Sequence, residues 1–155
     1  MNQVDYEFVE MLFDEFYCVK EKQNIKQYKY EGSNKLRFVF VFDSSPETQL
    51  HEAEMSLLMN IISSGLKIKL EDIALVNIAQ NENAKLSDII LSMNPLKMIV
   101  WGCDELVKNE EWKMENNQIA NIRSTQLLKA ATLTEYTQNQ QAKSALWNNG
   151  IKKML

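Results

Sequence analysis

Few side chains in this sequence of 155 residues have both the type and the setting for chemistry, and most stand at the ends of apolar runs. Asp43 directly follows "LRFVFVF", where a carboxylate could act as a general base or hold a water. At the same place it could simply help to cap the helix that follows. Asn77 interrupts the apolar run "DIALVNIA", and a buried amide must find partners there; a structural bond to a neighbouring loop is the ordinary alternative. His51, the single histidine, falls inside the segment read below as a helix, beside its apolar stripe and not in a loop, which speaks against a catalytic imidazole. In the tail "TLTEYTQNQQAKSALWNNGIKKML", Asn139, Lys143 and Trp147 recur every four residues, a spacing that lines them along one helix face. Cys18 and Cys103 lack metal-ligand spacing and lie in apolar segments, as reduced, buried thiols of a cytoplasmic protein do. No phosphate loop, nucleophile elbow, HExxH or CxxC is present, so no cofactor and no metal is expected.

The elements that would position these residues alternate along the chain. Leu36 to Phe42, Asp72 to Ala79 and Lys97 to Gly102 read as strands covered on both faces, being apolar with little polar interruption. Between the first two, Ser45 fits an N-cap and Pro46 a first helical residue. Leu50, Ala53, Leu57, Leu58, Ile61 and Ile62 form the stripe of that helix, and Gly65 a stop. A short helix over 85–93 ends at Asn94-Pro95. Gln118 to Ser124 alternates like a fourth, edge strand, and the tail gives a helical turn and a terminal helix. This order predicts a single α/β domain, a three-layer α/β/α sandwich around a mostly parallel sheet of about four strands. Adjacent, parallel pairing of the first three strands is part of that expectation.

Bulk properties narrow the function classes. Hydrophobic content of 45% and charged content of 25% are those of a globular protein able to bury a core. No apolar run approaches the roughly 18 residues of a membrane span, and no signal-peptide pattern opens the chain. A net charge of -4 argues against a dedicated reader of nucleic-acid phosphates. Residues 1–54 carry six basic against eleven acidic groups, whereas residues 108–155 carry seven against four; solvated helix faces account for that mild gradient.

The order of elements and the tail together resemble a known family. "FDSSPETQLHEAEMSLLMNII" with the later strand ending in Asn77 resembles the first motif of the uracil-DNA glycosylase superfamily. "KMIVWG" resembles its next strand, and "TLTEYTQNQQAKSALW" its last motif with Asn139, Lys143 and Trp147 as the terminal-helix signature. The resemblance covers roughly residues 36–155 and implies the glycosylase-like fold. It also implies lost chemistry. Phe42 and Asp43 stand where the superfamily has Gly-Glu, and Thr132 and Leu133 where it has His-Pro. The iron–sulfur cysteines are absent. Asp43, Asn77 and Thr132 would thus be remnant positions. Within the superfamily, "LTEY" and "ALW" are most similar to the psi-subunit family of the bacterial DNA polymerase III clamp loader, a non-catalytic branch. That resemblance implies a connector in DNA replication, with clamp-loader or single-strand-binding-protein-associated subunits as partners. The alternative is a divergent DNA repair glycosylase using Asp43 and Asn77.

The N-terminal segment has its own signal. Residues 4–20 place Val9, Leu12, Phe13, Phe16 and Tyr17 on a helix face, which Phe8, Met11 and Val19 widen beyond one core contact. A patch around Phe8, Met11, Leu12 and Tyr17, rimmed by acidic residues, would suit a protein partner or a second copy of the chain. Burial of the segment on two sides is the competing reading. Trp147 is expected to pack the terminal helix on the last strands, where truncation of a buried tryptophan costs about 3–5 kcal/mol.

Overall fold

The structure is a computed structural model and describes residues 25–44 and 50–155. The expected N-terminal helix with Phe8, Met11, Leu12 and Tyr17, the thiol Cys18 and the expected cap pair Ser45-Pro46 lie outside the described residues.

A five-stranded sheet forms the centre, in the order β2-β1-β3-β5-β4. The strands are β1 (Phe38–Phe42), β2 (Ala74–Asn77), β3 (Lys97–Trp101), β4 (Ile119–Ile122) and β5 (Thr125–Ala130). β1 pairs in parallel with both β2 and β3, β3 pairs in parallel with β5, and β4 is an antiparallel edge. The three apolar runs are therefore adjacent and parallel, as the sequence predicts. Their lack of alternation has a direct cause: each strand feeds two cores. Phe38, Phe40 and Phe42 face one layer, with Leu57, Leu58, Ile61, Ile62, Tyr136 and Leu146. Val39 and Val41 face the other, with Tyr28, Leu86, Ile89 and Ile90. The result is a three-layer α/β/α sandwich.

Among the described residues the helices are α1 (Glu52–Asn60), α2 (Leu86–Met93), α3 (Asp104–Lys108), α4 (Leu133–Gln138), α5 (Gln140–Leu146) and α6 (Lys152–Met154). α1 runs on into a π-helical turn, Ile61–Gly65, and α5 into a second, Trp147–Ile151. α2 ends as expected: Asn94 takes the left-handed conformation (φ 45°) just before Pro95. α1 does not start where the sequence suggests. Leu50 is irregular and His51 is the N-cap, with extended ψ (153°), its N–H bonded to Glu54 Oε2 at 3.3 Å. The histidine is thus at the helix boundary and not inside the helix.

The strand count also differs, five in place of about four. β4 falls within the expected edge segment, but β5 was hidden. The two strands meet in a tight turn at Arg123-Ser124, with Arg123 at φ 55°. Glycine or asparagine normally supplies that conformation, so this hairpin carries no conspicuous marker. At the opposite edge, residues 31–36 bond along residues 71–75 at the start of β2, with Glu31 and Leu75 exchanging both main-chain bonds at 2.9 Å. Gly32 makes this approach possible, since at φ 93° a Cβ would stand 2.0 Å from the Ile73 carbonyl oxygen.

Candidate functional site

The chain winds in opposite directions from β1. It leaves β1 for α1, whose buried Leu57 and Leu58 join the first core, and leaves β3 for α3, whose Val107 joins the second. Loops diverging to opposite faces leave a crevice between neighbouring strand ends, the usual ligand position in an open α/β sheet. A cleft of about 510 Å³ lies at that switch point. Phe42 and Trp101, Asp43, Cys103 to Leu106, Leu50, Glu54, Ile78 and Thr132 to Thr134 line it.

Of the predicted site residues, the cleft brings together Asp43 and Thr132 but not Asn77. Asp43 is exposed at its wall. Thr132 is the N-cap of α4, its hydroxyl accepting from the Glu135 N–H at 3.4 Å. Its Cγ2 sits where a Cβ on Gly102 would come within 2.9 Å, and Gly102 is held at φ 70°. Here glycine lets the chain turn out of β3 against the start of α4.

Asn77 is buried and its side-chain oxygen is bonded to the backbone. Its Oδ1 accepts from the Ser44 and Ala79 N–H groups, each at 3.1 Å, and its carbonyl accepts from Asn81 Nδ2 at 2.8 Å. Asn81 in turn exchanges bonds with the Lys29 backbone at 2.8 and 3.1 Å. The amide therefore ties the exits of β1 and β2 together, which is the structural use anticipated for it.

Glu54 and Trp101 escape sequence reasoning, and so does the buried partner of Asp104. Glu54 accepts from the Thr134 hydroxyl through Oε1 while Oε2 takes the His51 N–H, so it joins the starts of α1 and α4 across the cleft. Trp101 is 2% exposed, packed against Phe40 and edge-on to Tyr136, with ring centroids 6.0 Å away in both cases. Its indole N–H is buried and has no acceptor among the described residues. Asp104 holds Lys129, a lysine side chain only 3% exposed, at 2.8 Å. Lys129 also donates to Asn116 Oδ1 at 2.9 Å and to the Ala130 carbonyl at 2.8 Å. The one charged residue in the run "LLKAA" was the available signal for it.

The electrostatics are one-sided. Asp43, Glu54, Asp104 and Glu105 line the cleft, and no lysine, arginine or histidine is among the described lining residues. The hydrogen bond from Lys129 and its charge hold Asp104 below the usual carboxylate range. Burial, reinforced by the charge of Asp43, pushes the Cys103 thiol up to about 12. A thiol so placed is a poor nucleophile near neutral pH. Among the described residues no cluster of histidine, cysteine or carboxylate side chains could hold a metal ion. A larger groove of about 810 Å³ lies on the other face, between α2 and residues 106–112. Its Glu110 accepts from the Ser87 N–H at 2.9 Å through Oε1, at the start of α2.

The tail signature stands away from the cleft. Asn139 is the N-cap of α5, its Oδ1 accepting from the Ala142 N–H at 3.0 Å, so it precedes the helix that carries Lys143. Trp147 opens the π-helical turn, half-buried, and its ring lies over Gly65, where a Cβ would stand 2.8 Å from the Cζ3 atom. Contact with the last strand is made through Gly150, which packs on Leu128. Among the described residues no helix is long and apolar enough to cross a membrane. No protein-family model and no curated protein matches this chain.

Proposed function

We propose that this protein is a non-enzymatic interaction subunit, similar to the psi-subunit family of bacterial replicative clamp loaders and built on a uracil-DNA glycosylase-like fold. One observation carries the proposal: two of the three positions resembling a glycosylase site, Asn77 and Thr132, are occupied by side chains whose oxygens are bonded to the backbone. Asn77 clamps two loops, and Thr132 caps a helix. Around Asp43 the cleft is anionic, and a DNA phosphate chain entering it would meet like charge. The partner is a protein of a clamp-loader-like assembly, or a subunit associated with single-strand-binding protein; a second copy of the chain is the other candidate. The aromatic and methionine face of residues 4–20 is the proposed contact.

A specific feature favours the runner-up, a divergent repair glycosylase: the surface joining Asp43 to Thr132 is concave. Two measurements separate the readings. Purified protein is expected to release no uracil from single- or double-stranded DNA, and release abolished by Asp43→Asn would establish the enzyme. Mass in solution and partner capture are expected to change for Phe8→Asp and Met11→Asp while the fold persists. Loss of folding instead of association would refute that contact.

A further inference from the structure

We infer that the cleft at the ends of β1 and β3 is a docking site for a basic peptide segment, one that presents an arginine or lysine together with a main-chain carbonyl. This deepens the interaction-protein reading and rests on it, but names a different surface from the N-terminal face.

Two independent observations point to such an occupant. The first is charge. Glu54 is engaged by Thr134 and the His51 N–H, and Asp104 by Lys129. Glu105 meets Lys108 at 3.4 Å in a pair exposed on both sides, which water weakens. No ion pair among the described residues involves Asp43. Asp43 and Glu105 are therefore the carboxylates left to receive a cation, and a guanidinium can engage a carboxylate with two bonds. Phe42, Leu106 and Leu133 supply apolar wall for the aliphatic stem of such a side chain.

The second is the indole of Trp101. Buried donors almost always have partners, yet this one has none among the described residues. Phe40 and Tyr136 flank the ring, and the Tyr136 oxygen already accepts from the Ala131 N–H at 2.8 Å. Trp101 is one of the residues lining the cleft, so an acceptor supplied by a ligand would come from there. An orphan donor selects against a bare metal ion or a polyamine, which bring no acceptor, and the carboxylates select against a phosphate. A peptide brings both requirements: a carbonyl for Trp101 and a cation for Asp43 and Glu105.

The test uses the full chain labelled with nitrogen-15, and acetyl-Leu-Arg-Leu-amide as the probe. Trp101→Phe assigns the Trp101 indole signal among those of Trp101, Trp112 and Trp147. Titration is expected to move the Trp101 indole proton to lower field while the other two stay in place. The doubly substituted Asp43→Asn, Glu105→Gln protein, altered only at exposed positions, is expected to bind at least about tenfold more weakly. Acetyl-Leu-Glu-Leu-amide is expected to leave the signal unmoved. An unmoved Trp101 signal at millimolar arginine peptide, an equal response to the glutamate peptide, or unchanged affinity in the double variant would each overturn the inference. None of these results touches the association measured with Phe8→Asp, so the two proposals fail separately.

Discussion

In Lys129→Met, an apolar side chain of similar length takes over the channel that now holds a buried ammonium. Three bonds disappear, to Asp104, Asn116 and the Ala130 carbonyl. Bonds to a charged group contribute about 1.5–3 kcal/mol each, but withdrawing the ammonium from water costs several kcal/mol. The acceptors are not stranded. Asp104 is 70% exposed and Asn116 is exposed, so water replaces the lysine, and the Ala130 carbonyl keeps the Gly102 N–H at 3.0 Å. The expected change in stability is therefore within about 1 kcal/mol of zero. Asp104→Asn is the harsher change, because the ammonium stays buried without its counter-charge. Breaking a fully buried pair costs about 3–5 kcal/mol; with the carboxylate so exposed, the cost should fall to about 1–2 kcal/mol. In the Lys129→Met background the same Asp104 substitution should cost nothing, giving a coupling of about 1–2 kcal/mol. Urea unfolding of the four proteins at pH 7 measures it. Loss above about 3 kcal/mol for Lys129→Met, or an equal Asp104→Asn cost in both backgrounds, refutes the argument. Acid supplies a second check. The folded Asp104 titrates below its ordinary value of 3.8; its stabilisation is complete above that value and is lost as pH falls through the lower folded value. In Lys129→Met that portion of the acid sensitivity should vanish.

Four further outcomes are expected. Asn77→Ala leaves the Ser44 and Ala79 N–H groups without their acceptor, so it should cost about 2–4 kcal/mol in urea unfolding; a neutral result would contradict the structural role. Gly65→Ala drives a methyl group into the Trp147 ring and should cost about 1–3 kcal/mol, with much of the loss recovered when Trp147→Leu is added. Trp147→Ala alone, at a half-buried site, should cost about 2–3 kcal/mol, below the range for a fully buried tryptophan. Cys103, in a Cys18→Ser background, should react with a disulfide reagent at pH 8 far more slowly than a free thiol. Its thiol sits at about 12, and the thiolate fraction is then on the order of one part in ten thousand.

The sequence alone was enough for the centre of the sheet. Each of the first three strands is apolar at successive positions, and such a run is satisfied only when both faces are covered; that requirement implies parallel strands with helices on either side. The stop at Asn94-Pro95 was legible for an equally local reason, the left-handed residue before a proline. What required the tertiary structure was everything set by partners remote in sequence. β5 was missed because its turn uses Arg123-Ser124, and because Lys129 interrupts an otherwise apolar strand. Its ammonium is acceptable there only since Asp104 and Asn116 come from elsewhere to meet it. Asp43, Asn77 and Thr132 looked equivalent as remnants of one site, because the resemblance assigns all three to the same lost chemistry. The fold separates them: Asn77 turns inward to bond Ser44, 33 residues away, while Asp43 and Thr132 face the cleft. No spacing rule contains that distinction, because it depends on which loop lies within hydrogen-bond reach once β1 and β2 stand side by side.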